Sequence, residues 1–444
     1  MPSSDRHHFG WWKWVLLGLG VLALVSVLWL RRGPVSQVET LRAQGYPVSL
    51  ADLERRLGPD AALGRTNALK LVQIVEVQRR DKKRPIPARS KSVTAEDRAW
   101  AEGQLGNENA EDWNQLHALL RTGPWCFADY SGGVFSPNTD TLGGVKGAAV
   151  ALEAEAVAAA ILGDATRAGQ ALTDGVRVGR LVDSGGVLID YLVRIACDAI
   201  AARAAESVFT RVPLDDATLV NLQRGFRAAE GTNALAQALV GERAFGITAF
   251  RQLPSQAFPG GTAATPSSAL QDLLFDLYCV FLRPSDQRFY LDQMARLIDA
   301  ARTPGPAALG QVNELENRLR QDRVPTRQPF SRMMLPSRLK AAAKDARHLT
   351  NMRCAQAACA VERYRRKHQT LPPTLEALVP GFLDAVPEDP LTGGPLKYRI
   401  RGEGYVVYGI GEDGTDDGGQ EPQKESEKKL QKKPQGWDYT FAVD

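Results

Sequence analysis

Three carboxylates fall on one glycine-rich stretch: Asp413, Asp416 and Asp417 in GIGEDGTDDGG (409–419). Calcium takes roughly six to eight hard oxygen ligands, and such a loop can offer carboxylates and freed backbone carbonyls together. The spacing is not that of an EF-hand. Counting from Asp413 puts Thr415 at position 3 and Lys424 at position 12, where a bidentate Glu is needed. Read alone, the stretch is first an acidic turn between strands, where Asp and Gly are expected.

The other carboxylates with the right placement are Glu153, Glu155 and Glu242, which lie on helical stretches and could meet in a bundle as an acidic site. Their default reading is ion-paired or solvated helix residues. Ser184, within Asp183-Ser184-Gly185-Gly186, has the look of a nucleophile, but a helix–helix turn explains all four residues. The five histidines, His7, His8, His117, His348 and His368, form no ligand-like pair on a helical face, and His117 reads as a packing or surface residue. No HExxH, GxSxG, GxxxxGK[ST] or strand-linked GxGxxG occurs. Cys126, Cys197, Cys279, Cys354 and Cys359 are too scattered for a disulfide framework and include no CxxC pair.

The elements that must position these residues come from a chain of 444 residues, a prior of about three folding units. Lys plus Arg is 55 against 51 for Asp plus Glu, a balance too even for nucleic acid as a partner. Residues 11–30, WWKWVLLGLGVLALVSVLWL, would make about 30 Å of helix, the thickness of a bilayer core. Trp11, Trp12, Trp14 and Trp29 sit at its ends, with Lys13 before and Arg31-Arg32 after, as interfacial anchors do. A cleaved signal peptide is shorter and ends in small residues, so 1–33 is expected to be an uncleaved single-pass transmembrane anchor.

Residues 34–136 form a mixed, largely helical region in which the basic run RRDKKRPIPARSK (79–91) is expected to be a solvated loop. Trp113, Leu116, Leu119 and Leu120 predict a helix over 105–122. Residues 137–336 read as an α-helical domain, a bundle or irregular hairpin array without a full repeat signature. Its helices run to Leu162, break at Gly163-Asp164, and resume to Val182, then to about Thr210, then from Asp215-Asp216 and through Leu235, Leu239, Phe245 and Phe250. PSQAFPGGTAATPSS (254–268) is a linker, and Leu270–Leu282, interrupted by Asp272 and Asp276, is an amphipathic core helix. A polar helix covers 311–322, and Pro325, Pro329 and Pro336 punctuate the approach to the last unit.

That unit, 337–444, opens with a long helix from Ser337 to His368, followed by strands at 395–400, 404–410 and 437–443. Three segments, in order, resemble the C-terminal part of major pseudopilins of type II secretion systems (protein G-like). They are VERYRRKHQTLPPTLEAL (361–378), DPLTGGPLKY (389–398) and GIGEDGTDDGG (409–419). The resemblance implies a small α+β module, an extracytoplasmic location at a bacterial inner membrane, and calcium on the acidic loop. The ligands would be Asp413, Asp416 and Asp417, with Asp438 of GWDY matching the later Asp before the final strand. A charged segment, 420–436, inserts between these sites. Pilin-like processing is not expected, because Phe9-Gly10 is reversed and no acidic residue occurs from Gly10 to Leu30.

The expected fold class is therefore mainly α: a transmembrane helix, a helical bundle or hairpin-array middle, and a pseudopilin-like α+β module. The expected function is a membrane-anchored binding or scaffold protein with an unidentified protein partner. An envelope hydrolase with an acidic site in the helical domain is the runner-up, and a cytoplasm-facing helical adaptor would follow from the inverted orientation.

Overall fold

The structure, a computed structural model, describes residues 34–79, 85–106, 110–134, 140–182, 186–231, 233–253, 269–321, 328–421 and 437–444. The expected anchor, the Ser184 turn and most of the 420–436 insertion lie outside them. No helix among the described residues is long and apolar enough to cross a membrane.

The chain is mainly helical and closes with a small antiparallel sheet. The helices are α1 (34–43), α2 (Leu50–Arg56), α3 (Ala61–Arg79), α4 (Ala95–Leu105), α5 (Ala110–Leu120), α6 (Asp140–Ile161) and α7 (Ala165–Val178). They continue as α8 (Leu188–Phe209), α9 (Asp216–Ala229), α10 (Ala234–Gln252), α11 (Ala269–Leu277), α12 (Arg283–Arg302), α13 (Pro306–Gln321) and α14 (Pro329–His368). Strands β1 (Lys397–Arg401), β2 (Gly404–Gly409) and β3 (Tyr439–Val443) follow.

Local chemistry sets many of these bounds. Gly163 takes φ +81°, which an L side chain resists, and Asp164 then caps α7 by accepting from the Arg167 amide at 2.9 Å. Asp215 caps α9 through the Thr218 amide in the same way. The helix expected over 105–122 is α5, Ala110–Leu120, with Trp113, Leu116 and Leu120 buried, and a separate helix, α4, precedes it from a Thr94–Asp97 capping box.

Packing arranges the helices around α8 and α14. Ala- and Gly-rich α6 is buried on nearly every side and packs against α3, α4, α7 and α8; Gly144 lets Val72 of α3 approach closely. One core joins α1, α2, α10, α12 and α13 to the first halves of α8 and α14. A second joins α7, α9 and the sheet to their second halves. Helix α14 has 40 residues, about 60 Å of continuous rod shared by both cores. It starts at Pro329 rather than Ser337 and runs through Pro336, which was expected to break it. The flanking Met334, Leu335 and Leu339 are buried in the first core, and their burial offsets an interior-proline cost of about 3 kcal/mol.

In the sheet, order β1-β2-β3, Tyr398 pairs with Val407 and Val407 with Phe441. Tyr405, Val407, Phe441 and Val443 face α14, while Val406, Tyr408 and Ala442 make a small cluster on the other face. Helix α8 closes the β3 edge: the Ala442 amide donates to Glu206 at 2.8 Å and the Asp444 amide to Thr210 at 3.3 Å. The basic run, expected to be solvated, is not so at Arg89, whose guanidinium meets Glu421 at 2.7 Å, Asp444 at 3.0 Å and Glu206 at 3.5 Å. Asp389 ties the 389–394 loop to the sheet and to α14. It accepts from the Leu391 and Ile410 amides and the Thr392 hydroxyl, each at 3.0 Å, with the Thr350 hydroxyl at 3.5 Å.

Candidate functional site

A cleft of about 290 Å³ opens where the two cores meet. Its walls are the α9–α10 corner, the α12–α13 turn, the middle of α14 and the 388–393 loop. The corner is made by Gly231 at φ +60° and Asn233 at φ +56°. A Cβ on Gly231 would also sit 2.9 Å from the Arg194 guanidinium, so glycine is required there twice over. Ala234, Leu235, Leu309 and Leu349 supply apolar wall.

Polar groups of both signs reach this cleft. Glu230 accepts from Arg353 Nε at 3.1 Å and Gln356 Nε2 at 2.5 Å, and Arg353 Nη1 donates to the Glu388 carbonyl at 2.6 Å. Asp345 accepts from the Tyr191 hydroxyl of α8. Burial pushes the Asp345 carboxyl above the ordinary range, against the Tyr191 hydrogen bond and the Arg194 charge, which pull it down.

Behind Asp345 a buried polar seam joins α8 to α14. Arg194 and His348 both donate to the Ala229 carbonyl, at 3.1 and 3.2 Å. His348 Nε2 is 3.7 Å from Asp198. Burial drops the His348 pKa to about 4, so the ring is neutral at pH 7. A Cβ on Gly179 would lie 2.3 Å from Asp198, so that glycine makes room for the carboxylate. The seam's residues are held by the fold, and what they position is the α9–α10 corner and the inner wall of the cleft.

The carboxylates singled out from sequence lie elsewhere. Arg203 clasps Glu153 with two bonds of 2.6 Å. Glu155 takes His117 Nε2 at 2.9 Å and Arg167 at 2.8 Å. Glu242 takes Arg338 and the Leu188 amide. Beside it Asp190, raised to about 7 by burial and secondarily by the Glu242 charge, accepts from the Val187 amide at 3.4 Å. None of these lines the cleft.

The acidic loop crosses the outer face of the sheet, with Gly419 against Tyr408 and Val406. Asp413 accepts from the Thr415 amide and Asp416 from the Gly418 amide, each at 3.0 Å, so both serve as turn residues. Asp416 also pairs with Lys397 at 2.9 Å. Asp438 is 2% exposed and accepts from the Gly419 amide at 2.8 Å, while its other oxygen and one of Asp417 are buried with no hydrogen-bond partner. Burial, with Asp416 and Asp417 adding like charge, raises the Asp438 carboxyl. Among the described residues no three His, Cys, Asp or Glu side chains form a metal-binding group.

Sequence reasoning missed Glu230, Asp345, His348 and Arg353. The available signal was on α8: Asp190, Arg194 and Asp198 recur every fourth residue on one face of an otherwise Ala-rich helix. In comparisons with known proteins, no family model, curated protein or solved structure matches this chain.

Proposed function

We propose that the chain is a membrane-anchored, extracytoplasmic binding and scaffold protein, held by residues 11–30, that docks a peptide-like partner in the cleft. The observation that carries this reading is the cleft's composition. Apolar wall stands beside a largely desolvated carboxyl, Asp345, and the Glu230–Arg353 pair, a combination suited to hydrogen-bonding an amide-bearing ligand. The sequence resemblance of 361–419 to pseudopilins supports the extracytoplasmic side. Calcium belongs to the same proposal: the orphaned oxygens of Asp417 and Asp438 fit a hard cation, whereas Asp413 and Asp416 are engaged by loop amides and Lys397.

The raised Asp345 carboxyl favours one second reading, an envelope hydrolase in which Asp345 donates a proton to a leaving group. Thermal melting and product analysis of the full chain against oligopeptides and wall-derived muropeptides separate the two. A binding protein shows a ligand-dependent rise in Tm without turnover, reduced in Leu309→Asp. Product formation that disappears in Asp345→Asn establishes the hydrolase instead, and neither effect refutes the cleft as the site.

A further inference from the structure

One end of the molecule carries an apolar face that the cores do not use. Residues 269–302 form an unbroken helix: α11, a wider π-type turn over Tyr278–Leu282, and α12. The widening precedes Pro284, whose ring would clash with the carbonyl one turn back in a regular helix. Helix α1 lies beside α12 and runs in the same direction. Pro34 and Val35 share a pocket with Arg283 and Gln287, Gln37 bonds Asp292 at 2.8 Å, and Tyr46, just past α1, meets Arg302 at 3.3 Å. Pro34 is thus level with the start of α12, and residues 269–282 reach about 20 Å further at 1.5 Å per residue.

That projecting segment is apolar on two sides. Phe275, Tyr278, Cys279 and Leu282 pack inward on the core. Leu273, Leu274, Leu277 and Phe281 face outward at 55%, 48%, 45% and 47% exposure. Exposed Val35 begins α1 at the same end. So does Met333 in the first turns of α14, where the Phe330 and Ser331 amides bond Asp286. Among the described residues, six of the eleven large exposed apolar side chains therefore gather here. Arg283 follows Leu282 directly and, with Arg251, Arg42 and Glu39, lines the pocket beside Pro34 and Val35. The apolar stretch 11–30 ends only four residues before Pro34, with Arg31 and Arg32 between.

We propose that this end is a bilayer-docking face, in which Leu273, Leu274, Leu277 and Phe281 enter the interfacial layer of the same membrane that holds residues 11–30. Three observations select lipid as the occupant: the segment projects past Pro34, the residue from which the chain leads back to 11–30, its outer face is leucine-rich, and Arg283, suited to a headgroup phosphate, follows at its base. Asp272 and Asp276 on the flank of α11 set the depth at the interface rather than the hydrocarbon centre. Docking would fix the tilt of the body and the distance of the cleft from the membrane. The inference rests on the anchoring proposed above.

The test uses the full chain in phosphatidylethanolamine–phosphatidylglycerol vesicles carrying a biotinylated phospholipid, with p-benzoylphenylalanine in place of Phe281. Ile400, an exposed apolar residue on β1, is the control position, and Leu274 is a second probe should the Phe281 replacement misfold. Alkaline carbonate extraction of the same vesicles reads the anchor separately. The expected result is a lipid adduct at 281 or 274 at least tenfold above 400. Carbonate-resistant protein without that adduct overturns the docking face and leaves the anchor standing. Extractable protein without it overturns both. A crosslink at 281 to a second copy, or back to the same chain, also overturns the proposal, because protein would then cover the face.

Discussion

His117 gives the sharpest test of how the helices are clamped. Its Nδ1 lies 2.7 Å from Asp174 and its Nε2 2.9 Å from Glu155, and only the imidazolium can donate to both. The two carboxylates are 2% and 1% exposed and His117 itself 12%, so α5 is pinned to α6 and α7 by one buried cation. The ring is desolvated, which lowers its pKa, but the two hydrogen bonds and charges win and raise it to about 9 from 6.5. At about 1.4 kcal/mol per pH unit, the displacement caps the contribution near 3 kcal/mol, and screening at the open edge brings it to about 2. A raised folded-state pKa means that this stability is fully present below pH 6.5 and lost as pH climbs through 9. Other groups titrate over the same range, so the informative quantity is the difference between wild type and His117→Gln in urea unfolding. That difference is expected to shrink by about 2 kcal/mol between pH 6.5 and pH 10, with the imidazole titrating near 9 by NMR. A difference constant to about 0.5 kcal/mol, or an imidazole midpoint near 6.5, refutes the double clamp.

Four further substitutions probe other joints. Arg89→Met leaves Glu206, Glu421 and Asp444 facing one another without their shared cation, and should cost about 3 kcal/mol in urea unfolding and loosen the β3 edge in amide exchange. Gly241→Ala would put a Cβ 1.3 Å from the Gly186 carbonyl oxygen and should cost more than about 3 kcal/mol, whereas Gly103→Ala, with nothing within 4 Å, should gain up to about 1 kcal/mol. In Asp438 the raised carboxyl makes its charge a cost that grows as pH rises above about 3.8. Asp438→Asn should therefore raise Tm at pH 7 in chelator and abolish any rise with calcium, and a wild-type Tm equal in calcium and chelator removes the metal from the proposal.

How much of this could be read from the sequence depended on the range of the interaction responsible. The Gly163-Asp164 break and the Asp215 cap were legible because a positive φ and a side-chain cap act within four residues. The start of α14 was not. Pro329 and Pro336 carry a local helix-breaking signal, and what overrides it is burial of Met334, Leu335 and Leu339 against α10 and α12, elements far away in the chain. Arg89 failed for the same reason, since its partners lie 117 to 355 residues further on.

The cleft adds a different difficulty. The apolar stripe of α14, Leu339, Ala343, Ala346 and Leu349, leaves Asp345 and His348 off its centre, where an amphipathic rod would expose them. A helix shared by two cores has little solvent side, so its polar residues must find partners inside: Tyr191, Ala229 and Glu230. Those partners are then fixed in place, and the cleft is the gap that remains where Glu230 and Asp345 meet the α12–α13 turn. A helix much longer than its neighbours, carrying charges on more than one face, is thus a sequence signal for an internal polar seam and for a cleft beside it.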